Sequence, residues 1–336
     1  MKKGRIILIL LCLSQAVWAQ EGSSIFNFLK IPVSAHVAAL GGDNVSLKLD
    51  DPTLIFGNPA AAAQINDLSF NLNYMTYLGD TKVVSASAVK VFSVRHTFGL
   101  TARLFNYGSM DETDEDGNVI GSFSAKDMAL SALYSYTMGN GLVGGASMSF
   151  IYSNYAEYSA SSVAVDLGLH YYSDSKDFSA GLVLKNIGTQ ISSFYDDRTE
   201  HLPFDLQAGI THKIQHAPFR FSFTLKDLTR WSEHYYFNPE GKNSIGRKIF
   251  NHVVVGADFL PTDNTYIALG YNVRRGNELK AAGAGNGAGW SFGGGLQMAH
   301  FKLGISYAKY HERQQSGMEW RTDEGLPERE ESDCET

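Results

Sequence analysis

From residue 68 onward, apolar and polar side chains alternate with a period of two, in segments of roughly ten residues each. In the clearest segment, 219–226, every odd position is Phe or Leu and every even position is Arg, Ser, Thr or Lys. This period gives a β-strand one apolar and one polar face and leaves little room for helix. Thirteen such segments begin near residues 68, 82, 96, 126, 141, 158, 177, 204, 218, 250, 264, 288 and 300.

The connections between these segments are sorted by length. Long polar loops follow the third, seventh, ninth and eleventh segments, whereas tight turns follow the fourth, sixth, eighth, tenth and twelfth. Only the outer connections near 79–80 and 154–157 depart from this order, being short. A soluble β-sandwich also alternates, but Greek-key connections give no reason for such sorting. The pattern therefore predicts an all-β, transmembrane up-and-down antiparallel β-barrel over 67–311, with long loops at 108–124, 188–203, 232–249 and 276–287.

The two faces of such a barrel follow from the solvent. Backbone groups in hydrocarbon must all be paired, so the sheet closes, the apolar rows face outer-membrane lipid and the polar rows line the lumen. Arg103, Asp166, Lys185 and Lys226 fall in polar rows. Ordinary lumen lining is the simpler interpretation of these four charges, and contact with a specific ligand is the alternative.

The first nineteen residues have the composition of a cleaved secretory signal peptide. Three basic residues lie within the first five, the apolar run Ile6–Leu13 follows, and small residues precede Gln20. A membrane anchor is the alternative, but the run is too short to span a bilayer, and no other segment is apolar over 18 residues. We therefore expect export to the outer membrane. After cleavage only Cys334 remains, which excludes an internal disulfide.

Residues 20–66 lack the clean alternation of the strands. They contain Leu40-Gly41-Gly42, then Asp50-Asp51, then Asn58-Pro59-Ala60 followed by three more alanines. Proline fixes φ and lacks an N–H, which suits a tight turn ahead of a short Ala-rich helix. We predict a hatch or plug of short helical and extended pieces inside the lumen or at its periplasmic mouth.

The order of these motifs carries a family resemblance. The run 28–42 (FLKIPVSAHVAALGG), Asp50-Asp51-Pro52 and Asn58-Pro59-Ala60 resemble the opening of FadL-like outer-membrane proteins. More narrowly, the chain resembles the PorV/PorQ branch of the type IX secretion system of Bacteroidetes, over residues from about 24 to 310.

This resemblance implies a fourteen-stranded barrel in which Asn58, Pro59 and Ala60 are the hatch element. It also implies a membrane anchor in the machinery that attaches secreted proteins to the cell surface, holding a PorZ-like partner, with the cleavage chemistry on a different protein. The alternative function is a FadL-type channel for small hydrophobic molecules.

No motif predicts an enzyme, a metal site or a cofactor. The acidic run Asp111–Asp116 offers oxygen ligands, but an EF-hand loop counted from Glu112 would place Phe123 where glutamate is required. The run 285–289 (GNGAG) resembles a phosphate loop but precedes a strand rather than a helix. His212 and His216 lie on a strand end and a turn, which is poor zinc geometry. A net charge of −7 without a basic cluster argues against nucleic acid.

The two hypotheses make different demands on the loops. An anchor needs an apolar centre in its outer loops, and Trp231, Tyr235, Tyr236 and Phe237 provide a candidate contact surface. The same aromatics would also suit the girdle at the membrane interface. A channel instead needs an apolar path through the barrel.

The C-terminus departs from the family pattern. Residues 312–336 carry nine acidic residues and do not read as the closing strand of a barrel, where each charge at the membrane midplane costs about 2–4 kcal/mol. We expect this tail to be disordered, and the fourteenth strand to be missing or replaced, for example by a frame change in the reading of the gene. An unpaired edge is then expected at 301–310 or 68–77.

Overall fold

The computed structural model describes residues 24–77, 79, 81–195, 200–231, 244–279, 287–298 and 301–309. The predicted signal peptide (1–19), three of the four candidate contact aromatics (Tyr235, Tyr236 and Phe237) and the acidic tail (312–336) lie outside the described residues.

All thirteen predicted strands are present, in one antiparallel sheet whose strands follow each other in sequence order. The predicted up-and-down all-β fold is therefore confirmed. Within the described ranges, the first and last strands each pair with a single neighbour. No helix in that part of the chain is long and apolar enough to cross a membrane. The strands are β1 (Ser69–Thr76), β2 (Lys82–Ser93), β3 (His96–Thr113), β4 (Val119–Gly139), β5 (Leu142–Tyr155), β6 (Tyr158–Ser173), β7 (Phe178–Ser192), β8 (Asp205–Lys213), β9 (Phe219–Leu225), β10 (Val253–Thr262), β11 (Thr265–Asn272), β12 (Trp290–Gln297) and β13 (Lys302–Ala308).

The alternation in sequence becomes an exposed apolar face and a buried polar face. In β9, Phe221 is 47% exposed while its neighbour Ser222 is 6% exposed. The same division holds in β1, where Phe70 and Leu72 are each 74% exposed. An apolar surface of this kind, wrapped around a polar interior, is the arrangement of a lipid-facing barrel wall. The polar rows lie inward, as predicted.

One predicted loop is wrong. Residues 108–124 are mostly strand, because β3 continues to Thr113 and β4 already begins at Val119. The barrel is consequently taller on one side, with 21 residues in β4 against 7 in β13. Two short helices also occupy parts of predicted loops: α2 (Ile245–Asn251) and α3 (Val273–Glu278).

The segment that precedes β1, residues 24–66, is here called the N-terminal segment. It consists of 3-10 helices at Asn27–Lys30, Pro52–Phe56 and Pro59–Gln64 and the helix α1 (Ala35–Ala39). Its 3-10 helices contact β1 to β6, and α1 contacts β11 to β13. Since strands from both ends of the sheet meet the same segment, the sheet curls around it as a barrel.

The N-terminal segment runs along the lumen from one end of the barrel to the other. The backbone N–H of Ile25 donates to His201 O, in the β7–β8 connection (3.1 Å). The end of the barrel that carries the β7–β8 connection and the other long loops is here called the loop end. The opposite end, which carries the tight turns, is called the turn end. Asp50 accepts from Lys302, the first residue of β13 at the turn end (2.7 Å). The N-terminal segment therefore runs from the loop end at Ile25 to the turn end at Asp50 before β1 begins.

Candidate functional site

Glycines on the inner face of the wall allow the N-terminal segment to touch it. A Cβ at Gly145 in β5 would lie 2.7 Å from Ala60 Cα and closer still to Ala60 N. A Cβ at Gly270 in β11 would lie 2.6 Å from Ala39 O. A strand glycine often marks such a close approach of another backbone. The segment is thus seated against the wall by backbone contact on opposite parts of the sheet.

Asn58 fixes the central turn of the segment. Its side-chain oxygen accepts from Ala60 N (3.0 Å), and its side-chain nitrogen donates to Val45 O (2.9 Å) and to Leu169 O in β6 (3.2 Å). Pro59 is the first residue of the 3-10 helix that follows, and the side chain of Asn58 is 1% exposed. Only an amide side chain supplies this acceptor and these donors together. The predicted turn and short Ala-rich helix are present.

A buried charge network ties α1 to the wall. His36 Nε2 lies 2.8 Å from Asp258 Oδ1 in β10, and Arg220 in β9 donates to the other oxygen of that carboxylate (2.8 Å). The His36 ring also stacks on Tyr266, with centroids 3.8 Å apart. Sequence reasoning did not single out this network, because His36 and Asp258 are 222 residues apart. The inward position of Asp258 was the one signal in the alternation that could have indicated it.

Two further ion pairs hold the segment. Lys226 Nζ lies 2.5 Å from Asp43 Oδ2, and Lys302 Nζ lies 2.7 Å from Asp50 Oδ2. Burial raises the pKa of Asp50, but hydrogen bonds from Asn66 and Lys302 outweigh it and hold that pKa below the usual carboxyl range. Lys226, predicted as lumen lining, is therefore a partner of the segment.

A cavity that is partly open to solvent lies between the segment and the wall. Arg103 and Lys185 reach it from β3 and β7. Arg103 donates to Leu29 O (3.2 Å) and lies over the Phe56 ring (5.0 Å), while Lys185 donates to Phe56 O (3.1 Å). Both cations thus bind carbonyl oxygens of the segment. The apolar part of the lining is Leu29, Ile31, Pro32, Val33, Val37 and Phe56.

Asp166, the fourth charge in the polar rows, supports the wall behind these cations. Its Oδ1 accepts from the backbone N–H of Asn186 (2.6 Å), where the β6–β7 register shifts, and its Oδ2 accepts from Ser147 (3.2 Å). It therefore replaces a backbone acceptor at an irregular position of the sheet.

An apolar cluster fills the lumen toward the loop end. Phe28 packs edge-on against Phe105, with ring centroids 5.2 Å apart. Below the loop end, the buried carboxylate of Asp127 accepts from Tyr107 (2.5 Å) and Tyr155 (2.7 Å). The remaining buried members of the cluster are Phe26, Leu29, Val33, Val83, Ala129, Ile151, Ala160, Ala164 and Leu202.

The candidate partner-contact loop is described only at its first residue. Trp231 is 50% exposed at the loop end, its indole N–H donates to Leu228 O (2.6 Å), and its ring lies 4.2 Å from that of His252. Whether it contacts a partner or the lipid interface stays a prediction. In the ranges given above, no group of three or more His, Cys, Asp or Glu is placed to hold a metal ion.

The same barrel fold occurs in solved structures of hydrocarbon transporters and channels. The toluene transporter TodX of Pseudomonas putida aligns with a TM-score of 0.51 at 14% identity, over 82% of this chain and 92% of its own. The toluene transporter TbuX of Ralstonia pickettii gives 0.52 at 14% identity, over 85% and 95%. The monoaromatic hydrocarbon channel CymD gives 0.50 at 15% identity, over 85% and 94%. At these identities the similarity shows the fold alone, and no family model and no curated protein matches the sequence.

Proposed function

We propose that this chain is an outer-membrane barrel that admits small, largely apolar molecules. Residues 1–19 would direct its export and then be cleaved. In this proposal the N-terminal segment is the hatch. The observation that carries it is the cavity between that segment and the wall, whose lining combines six apolar side chains with eight polar or charged ones. Ligand sites in proteins generally combine these two kinds of lining. The shared fold with hydrocarbon channels supports the same function.

The proposal is tested by filling the cavity. We expect Val33→Trp, which projects a large ring into the lining, to lower the initial rate of radiolabelled toluene uptake into cells that express the chain. The matched control is Val94→Trp, in the β2–β3 turn, where the native side chain is 95% exposed. Surface levels are compared with an antibody. Wild-type uptake equal to that of cells without the protein would contradict the channel.

A second function is favoured by the contacts that hold the N-terminal segment inside the lumen. Ion pairs at Asp43 and Asp50 and the contact of His36 with Asp258 hold the segment to the wall, and the apolar cluster around Phe28 closes the loop end. A permanent plug of this kind suits a membrane anchor better than a channel. Together with the resemblance of residues 24–310 to the PorV/PorQ branch, this supports a role in type IX attachment, holding a PorZ-like partner at the loop end.

The two functions are separated by deletion in the native organism. Loss of toluene uptake with normal display of secreted proteins favours the channel. Loss of surface attachment with unchanged uptake favours the anchor, and recovery of a PorZ-like protein with the solubilised barrel would support it further.

A further inference from the structure

Residues 109–124, here called the β3–β4 ribbon, extend beyond every neighbouring strand. Pairing of β3 with β2 ends at Asn106, and pairing of β4 with β5 begins only at Ala125. Between these limits β3 and β4 pair only with each other, from Ser109 opposite Ser124 to Thr113 opposite Val119. Apart from Ser124 O, which accepts from Ala156 N (3.2 Å), the outer edges of the ribbon are open within the described chain.

Specific contacts fix the conformation of the ribbon at its base and at its tip. At the base, the β3–β4 register shifts after Asn106, Gly108 takes φ 84°, and Tyr107 turns inward to donate to Asp127. At the tip, Asp114 Oδ1 accepts from the backbone N–H groups of Asp116 (3.0 Å) and Asn118 (2.8 Å). Both ends are thus fixed by specific hydrogen bonds, and the strands between them form a preformed edge.

The edge formed by β4 carries exposed apolar side chains. Val119 and Ile120 are each 63% exposed, and Met110 on the other strand is 38% exposed. An isolated two-stranded hairpin is marginal in water, and an open, apolar strand edge is a template for pairing with another chain. Natural proteins commonly block such edges with lysine, and none is present between residues 109 and 124.

The charge of the ribbon selects the kind of partner. It contains five carboxylates, at Asp111, Glu112, Asp114, Glu115 and Asp116, and no Lys or Arg. Anionic lipid headgroups would be repelled by this charge. A cationic polypeptide would be attracted to it, and its backbone would also pair with the open edge.

We propose that the β4 edge of the ribbon binds an extended, cationic segment of another protein by strand addition. Main-chain hydrogen bonds to residues 119–123 would supply affinity, and the five carboxylates would supply selectivity for basic side chains. This interaction is independent of what passes through the lumen, because the ribbon lies outside the barrel wall.

The test uses the full chain in detergent and a fluorescent octapeptide of alternating Lys and Val as the probe. One control peptide has every second backbone amide N-methylated, which blocks pairing but keeps the charge, and another carries Glu in place of Lys. Anisotropy titrations are repeated on a variant in which 109–124 are replaced by Asn-Gly, and on Val119→Pro. The matched control is Val94→Pro in the exposed β2–β3 turn. Heat-modifiable electrophoretic mobility verifies that each barrel is folded.

We expect saturable binding of the cationic peptide that weakens at least tenfold on N-methylation, on ribbon replacement and in Val119→Pro, but not in Val94→Pro. Equal binding of the N-methylated peptide would show that charge alone acts, and would overturn strand addition. Undiminished binding to the ribbon-replaced barrel, or no saturable binding to the wild type, would overturn the site.

Discussion

Substituting alanine for Gly145 and Gly270 is expected to push the N-terminal segment off the wall while leaving the barrel folded. At Gly145 the added Cβ would lie 2.7 Å from Ala60 Cα, whereas an ordinary van der Waals contact begins near 3.4 Å. Pro59 C would lie nearer still, at 2.5 Å, so the segment must retreat by more than about 0.9 Å, and overpacking of this kind costs about 1–3 kcal/mol. That free energy corresponds to a roughly 5- to 150-fold increase in the local opening of the segment.

Hydrogen–deuterium exchange of residues 58–64, followed by mass spectrometry, measures this opening. The matched control is Gly246→Ala in α2, where an added Cβ meets no atom within 4 Å. Because Gly145 and Gly270 contact different parts of the segment, the effects of the two substitutions on the free energy should be roughly additive. If exchange in Gly145→Ala equals that of the control, then the glycines do not seat the segment, and the close-contact argument fails.

Three further outcomes follow from the charges around the segment. Lys185→Met should weaken uptake of benzoate relative to toluene, because it removes a cation from the cavity. The control is Lys213→Met at the turn end. An equal change in the uptake of both solutes would contradict this prediction. Asp258→Asn should loosen the segment, because it removes the carboxylate that binds both His36 of the segment and Arg220 of the wall. Breaking a buried pair of this kind costs about 3–5 kcal/mol, and urea titration of the segment's protease resistance measures the loss. The pKa of Asp50 is depressed in the folded chain, so its contribution is present above the ordinary carboxyl pKa and lost as pH falls through the folded value. Protease resistance of the segment should therefore fall below about pH 4 in the wild type, and this acid-induced fall should be smaller in Asp50→Asn.

The wall could be predicted from sequence because each strand is in contact with two environments. Phe221 faces outward and Ser222 inward, so each position of a strand requires either an apolar or a polar side chain. The alternation therefore predicts both where the strands lie and which side chains face the lumen. The β3–β4 ribbon fails the same test for a physical reason. Both of its faces are exposed, so Asp111 to Thr113 and Val119 to Ile120 show no alternation, and the stretch reads as a loop.

The interior could be predicted only in outline. The absence of alternation in 20–66 separates the N-terminal segment from the wall, and Asn58-Pro59 predicts its turn. Its contacts could not be predicted, because pairs such as His36 and Asp258 or Asp43 and Lys226 join residues far apart in sequence. The small residues at the contact, Gly145 and Gly270, are explained only once the facing backbone is located.

A reversible disulfide between the segment and the wall would distinguish a hatch that moves from a plug that stays in place. Ser46 Oγ and Thr211 Oγ1 in β8 lie 2.8 Å apart and are both buried, so cysteines at these two positions bring their sulfur atoms close enough to bond. The pair is introduced with Cys334→Ser, so that no other cysteine remains after signal cleavage. Ser46→Cys alone, in the same background, is the matched control.

If the segment must move for passage, oxidation of the double-cysteine chain stops toluene uptake and a reducing agent restores it, while the single-cysteine chain is unaffected by either treatment. Unchanged uptake in the oxidised double variant would exclude movement of the segment at β8 as the gate. If the barrel is instead an anchor, surface attachment of secreted proteins is the same before and after oxidation, because a partner at the loop end needs a rigid platform rather than an opening one. A loss of attachment on stapling would contradict the permanent plug, since it would mean that the lumen and the loop end are conformationally coupled.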